Sequence, residues 1–135
     1  MDWNYREESN KEALAIVRVS SHKQTEGASP DVQENEIYRY CAERGLVLVR
    51  VARLQESAKD SDKRQEYDKE IRHALKKNIR HVLFYMSDRE ARNMTDIEAS
   101  NKLILLGKII VHHVQERKVY WKNSSTSDFL MRNIN

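Results

Sequence analysis

Short apolar runs alternate with amphipathic segments along this chain. The runs fall at about residues 13–19, 46–52 (LVLVRVA), 81–85 (HVLFY) and 108–114 (KIIVHHV). They are rich in β-branched and aromatic residues and too short for core helices, so each predicts a buried strand. Between them, apolar positions recur at helical spacing. Ser29-Pro30-Asp31 opens the first helix, with serine at the N-cap, proline at the first helical position and an acid at the positive dipole end. It should run to about Arg44, with Ile37, Tyr40, Cys41 and Arg44 on one stripe and Gly45 as the C-cap. A second helix is expected over about Arg64–Lys77, burying Tyr67, Ile71, Ala74 and Leu75. Thr95 and Glu98 form a capping box for a third that stops at Gly107. Lys118–Trp121 reads as a short edge strand, and Ser124–Asp128 caps a last helix beginning at Phe129.

Strands that alternate with helices imply an α/β fold: a mostly parallel four-stranded sheet with right-handed crossovers, helices on both faces and a short added edge strand. Residues 1–12 read as a flexible lead-in, 13–128 as one domain, and 129–135 as the truncated start of a further helix. In such sheets the functional crevice lies beyond the carboxyl ends of the strands. Three polar stretches fall there, at 18–24, 55–64 and 87–93.

Composition narrows the classes. The chain has 135 residues, 39% of them hydrophobic, which suits one compact domain. It contains no 20-residue apolar run that would span a membrane. The polar opening MDWNYREESNKE resembles no signal peptide, and the single Cys41 cannot form an internal disulfide, so a reducing cytoplasm is the expected compartment. The formal charge of +3 arises from 24 basic and 21 acidic residues that are interspersed, so charge alone does not argue for nucleic acid. Cys41 lies on the buried stripe and reads as a core thiol, not a nucleophile.

The unusual stretch is AIVRVSSHKQ, residues 15–24. A buried strand should not carry Arg18 unless the charge has a partner. Arg18 and Ser20 share a face, roughly 6.6 Å apart, close enough to act on one phosphate. The same edge collects Ser21, Gln24, Ser57, Arg64, Asp88, Arg89 and Arg92, the last two sharing a face if their segment is helical. Guanidinium groups are permanent forked donors that match phosphate oxygens and stabilise a phosphoryl transition state. Asp88 could orient them or move a proton. Other chemistries fail on inventory. Gly27, Gly45 and Gly107 are too far apart for a phosphate-binding loop. His112 and His113 point opposite ways on a strand and suit packing, not zinc. His22 near Ser20 has no orienting acid for a serine–histidine hydrolase. Tyr38, Tyr40, Tyr85 and Tyr120 read as packing residues.

These residues carry a resemblance. Arg18-Val19-Ser20-Ser21 with Gln24, Gln33 in SPDVQ, Glu56-Ser57-Ala58 followed by Arg64, and Asp88-Arg89-Glu90-Ala91-Arg92-Asn93 resemble, in order, the catalytic domain of the serine recombinases, the resolvase/invertase family, on its large-serine-integrase side. The likeness spans about residues 13–135. It departs from the family pattern at Met86-Ser87, Glu90 and Gln65. It implies that Ser20 attacks a DNA phosphodiester to give a 5′-phosphoserine link and a free 3′-hydroxyl, with no metal or cofactor. It also implies that Arg18, Arg64, Arg89 and Arg92 activate the phosphate and that Gln24, Gln33 and Asp88 support them. The implied partners are double-stranded DNA, held through further domains beyond these residues, and copies of the same protein in a dimer or tetramer. The chain then reads as a catalytic fragment, inactive alone. Two other readings keep the fold: a catalytically silent regulatory module, and a flavodoxin-like phosphate binder.

Overall fold

The computed structural model describes residues 3–4, 8–19, 29–55, 59–86 and 97–132. Among them, five strands and four helices follow one another as β1 (Glu12–Val19), α1 (Pro30–Arg44), β2 (Val47–Gln55), α2 (Asp60–Lys77), β3 (His81–Phe84), α3 (Ile97–Leu105), β4 (Ile110–His113), β5 (Lys118–Tyr120) and α4 (Thr126–Arg132). The sheet order is β2-β1-β3-β4-β5. The first four strands are parallel, and β5 closes back antiparallel on β4. The expected edge strand is therefore a true fifth member of the sheet.

Alternation along β1 builds two cores. Leu14 and Ile16 face Tyr67, Ile71 and Ala74 of α2, Ile104 of α3 and Phe84 of β3, with Phe129 of α4 packed alongside. Ala13, Ala15 and Val17 face Ile37, Tyr40 and Cys41 of α1. Small alanines on the α1 side let that helix sit close, while larger residues fill the side that carries more helices. Burial pushes the Cys41 thiol up to about 11, so at neutral pH it is the inert core thiol that its place on the stripe implied.

Local signals account for most ends. Ser29 Oγ accepts from the Val32 amide at 3.3 Å, and Gly45 at φ 66° hands the α1 carbonyls of Cys41 and Ala42 to the next two amides. α2 begins at Asp60, four residues before the expected Arg64; Lys59 makes no side-chain cap, and the negative charge of Asp62 in the first turn suits the positive dipole end. β2 runs on to Gln55, past the expected Ala52, because it stays paired with β1 as far as Val19↔Gln55, and Arg53 there forks onto Glu34 of α1 at 2.6 and 3.1 Å. α4 begins at Thr126, earlier than the expected Phe129, because the Ser125 hydroxyl accepts from the Asp128 amide at 3.0 Å. Thr95 of the proposed capping box lies outside the described residues.

The residues read as a loose lead-in are tied to the sheet where they are described. Trp3 lies edge-on against His81 and His112, and Asn10 supplies its carbonyl to His81.

Arg50, which interrupts the apolar run of β2, has its partner in Glu70 of α2, held through two bonds of 2.5 and 2.9 Å. The guanidinium holds the Glu70 carboxyl below the ordinary carboxylate range. Glu70 is 5% exposed and Arg50 42%, so Arg50 can rehydrate if its partner is removed. Glu70→Ala is therefore expected to cost about 1–2 kcal/mol, less than breaking a fully buried pair. The check is a urea titration, where the midpoint should fall with the slope unchanged.

Candidate active site

The order β2-β1-β3 makes the carboxyl ends of β1 and β3 the switch point of the sheet, where successive connections leave in opposite directions. Among the described residues the strand pairings diverge there. β1 pairs with β2 through Val19↔Gln55, but its pairing with β3 stops at Ile16↔Phe84. Arg18 thus stands beyond the last β1–β3 pair and is still only 8% exposed. It shares strand parity with Leu14 and Ile16, the side that α2 covers.

Gln33 approaches from the other side. It sits in the α1 turn that Ser29 caps, is 1% exposed, and donates from Nε2 to the Arg18 carbonyl at 3.3 Å. A side chain from α1 is thereby tied to the last turn of backbone before residue 20, which limits how the strand end can shift.

The remaining expected residues divide in two. Arg64 lies near the start of α2 with its side chain in solvent. Ser20, Ser21, Gln24, Ser57, Asp88, Arg89 and Arg92 lie outside the described residues. The described structure therefore joins Arg18 to Gln33 and leaves Arg64 exposed.

An open cleft of about 210 Å³ lies two strands away, between α1 and the turn after β4, with Glu36, Arg39, Tyr40, Glu43 and Arg117 in its lining. Its charges satisfy one another: Arg117 forks onto Glu43 at 2.9 and 3.3 Å and Arg39 meets Glu36 at 3.3 Å. That leaves no surplus charge to recognise an ionic substrate. Among the described residues no group of His, Cys, Asp and Glu has metal-binding geometry, and no helix is long and apolar enough to cross a membrane.

The adjacent histidines do face opposite ways. His113 packs between Phe84 and Tyr120, and His112 lies on the α1 side. Tyr40 does more than pack: its hydroxyl meets His112 Nδ1 at 2.6 Å, and His112 Nε2 meets His81 Nδ1 at 2.9 Å. His81 was not singled out from the sequence. The available signal was a histidine opening an otherwise apolar strand, which can be buried only with partners for both ring nitrogens.

Comparison with known proteins agrees with this architecture. The profile described as Resolvase, N terminal domain, matches residues 13–134. A search of curated proteins found no match. Among solved structures, the crystal structure of the N-terminal catalytic domain of TP901-1 integrase superposes with a TM-score of 0.61 at 21% identity, covering 92% of this chain and 90% of that one. With the profile spanning nearly the whole chain, this protein belongs to the resolvase N-terminal domain family.

Proposed function

We propose that the chain is the catalytic domain of a site-specific serine recombinase, on the large-serine-integrase side of its family, and that it acts on double-stranded DNA. In this reading the Ser20 oxygen attacks a backbone phosphorus. The P–O bond to the 3′ carbon breaks, the leaving oxygen takes a proton to become a free 3′-hydroxyl, and a 5′-phosphoserine link forms. Attack by the 3′-hydroxyl of another strand reverses the step and releases Ser20. The ester stores the bond energy, so the exchange calls for no cofactor. Arg18, Arg64, Arg89 and Arg92 would carry the charge on the phosphoryl group, with Gln24, Gln33 and Asp88 supporting them. Cutting two duplexes requires four active serines, hence assembly through dimers to a tetramer.

The observation that carries this reading is the buried Arg18 beyond the last β1–β3 pair, its backbone tied down by Gln33. A permanent cation kept at a switch point suits an anionic substrate better than a packing role would. The direct test uses the domain joined to DNA-binding domains, as the reading requires for activity, and incubates it with a duplex whose recombination site is nicked at its centre. A protein–DNA adduct should survive denaturation, and its peptide should carry phosphate on Ser20. Absence of any adduct with such a trap would reject the chemistry.

Arg18→Lys is a sharper probe of the arginine. It keeps the charge but loses the fork, so strand cleavage is expected to slow by about 10²–10³-fold, within the range seen when one preorganised donor is removed. Single-turnover cleavage with saturating DNA measures it, and unchanged far-UV circular dichroism shows that the fold survives.

A further inference from the structure

The hydrogen-bonded row Tyr40–His112–His81–Asn10 crosses from α1 over β4 and β3 to the segment before β1, far from the work assigned to Arg18. Its ends fix its protons. The Asn10 carbonyl only accepts, so His81 Nε2, 2.8 Å away, carries hydrogen. In a neutral ring His81 Nδ1 then accepts, so His112 Nε2 donates to it at 2.9 Å. His112 Nδ1 is left to accept from the Tyr40 hydroxyl at 2.6 Å. With both rings neutral, one arrangement satisfies every group. An added proton on His81 places two hydrogens face to face unless the whole row reverses, and one on His112 turns the Tyr40 hydroxyl away; in either case the buried Tyr40 hydroxyl must find a new acceptor.

The surroundings also disfavour that proton. His81 and His112 are fully buried. Around His81 stand Arg80 and Lys11, and around His112 stand Arg44 and His113. From α1, Cys41 and Glu43 face Tyr40, as does Arg117 from the β4–β5 turn. The acid that acts on His81 is Glu8, which is already engaged by Arg80 at 3.0 Å and by the Trp3 indole at 3.2 Å.

On this side His81 meets residues ahead of β1. Trp3 lies edge-on at 5.5 Å from His81 and 5.1 Å from His112, and the Asn10 side chain bonds back to the Asn78 carbonyl at 2.9 Å. We propose that Trp3, Glu8 and Asn10 form a proton-sensitive clasp over the histidine row, which lifts when His81 takes a proton while the sheet beneath stays folded. Lifting returns His81 to water, where it binds the proton at its ordinary affinity. Each pH unit below that value then raises the ratio of open to closed by up to about tenfold for each histidine uncovered. The clasp uses no residue of the proposed reaction.

The test follows Trp3 emission in a Trp121→Phe background from pH 8 to pH 5, above the range where ordinary carboxylates titrate. A shift to longer wavelength is expected with its midpoint below pH 6.5, with far-UV circular dichroism unchanged. His81→Gln, which retains a donor for Asn10, should make the emission independent of pH. If that variant does not fold, long-range ¹⁵N spectra of the histidines in the unmutated chain serve instead. Both rings should be Nε2–H tautomers at pH 8, and His81 should protonate as Trp3 moves. Emission unchanged down to pH 5 overturns the proposal. So does an emission change that coincides with loss of circular dichroism, or one that persists in His81→Gln.

Discussion

Ser20→Ala is expected to take DNA cleavage below detection, a loss of more than about 10⁴-fold, equivalent to over roughly 5.5 kcal/mol of barrier. The size follows from the role. The proposed reaction passes through a covalent ester, and alanine offers no oxygen to form it, so the arginines are left with a phosphate but no nucleophile. Ser21→Ala should stay within about tenfold of the parent, because Ser20, not Ser21, holds the nucleophile's place in the motif. The pair separates chemistry from folding: both changes remove one hydroxyl from adjacent positions, so a mere loss of stability would affect them alike. Trapping on a nicked duplex and counting covalent adducts reads the difference. An adduct in Ser20→Ala, or none in Ser21→Ala, would reassign the nucleophile.

The frame of the molecule could be read from the chain because its punctuation is local. Ser29, Pro30 and Gly45 mark α1 by backbone chemistry that does not depend on what packs against it. Where an end depends on a partner far along the chain, local rules stop short. The extension of β2 to Gln55 goes with the fork between Arg53 and Glu34, nineteen residues apart. The placement of Arg50 is explained only by Glu70, twenty residues on. The candidate site shows the same division. Parity and topology brought out Arg18 as an oddity at a strand end, and it lies beyond the last β1–β3 pair. The Gln33–Arg18 contact joins the side chain of one element to the backbone of another, which no periodicity encodes. The histidine row was hidden for a similar reason, since Tyr40, His112, His81 and Asn10 come from four separate segments that meet only once the sheet is assembled.

That row also sets how the whole fold should respond to acid. Burial drives the His112 imidazole well below its ordinary 6.5, with the neighbouring His81, Arg44 and His113 adding to the effect, and burial likewise lowers His81. A histidine depressed in the folded state binds its proton more tightly once unfolded. Its contribution to stability is complete above about pH 6.5 and is lost as pH falls toward the folded value. From His112 alone the unfolding free energy should fall by up to about 1.4 kcal/mol per pH unit below 6.5. The share from His81 levels off once the clasp lifts, because the folded chain then takes the same proton. The carboxylates held low by cations, Glu70 by Arg50, Glu43 by Arg117 and Asp128 by Lys118, lose their contribution only in more acidic solution, below about pH 4.5. The interval from about 4.5 to 6.5 therefore isolates the histidines. Urea titrations at half-unit steps through it should give a steep decline for the parent and a shallower one for His112→Gln, which can still accept from Tyr40 and donate to His81 but cannot titrate. A parent stability that stays level across those two units would mean that His112 gains and loses its proton as freely in the folded chain as in water, and that the row carries no acid-sensitive energy at all.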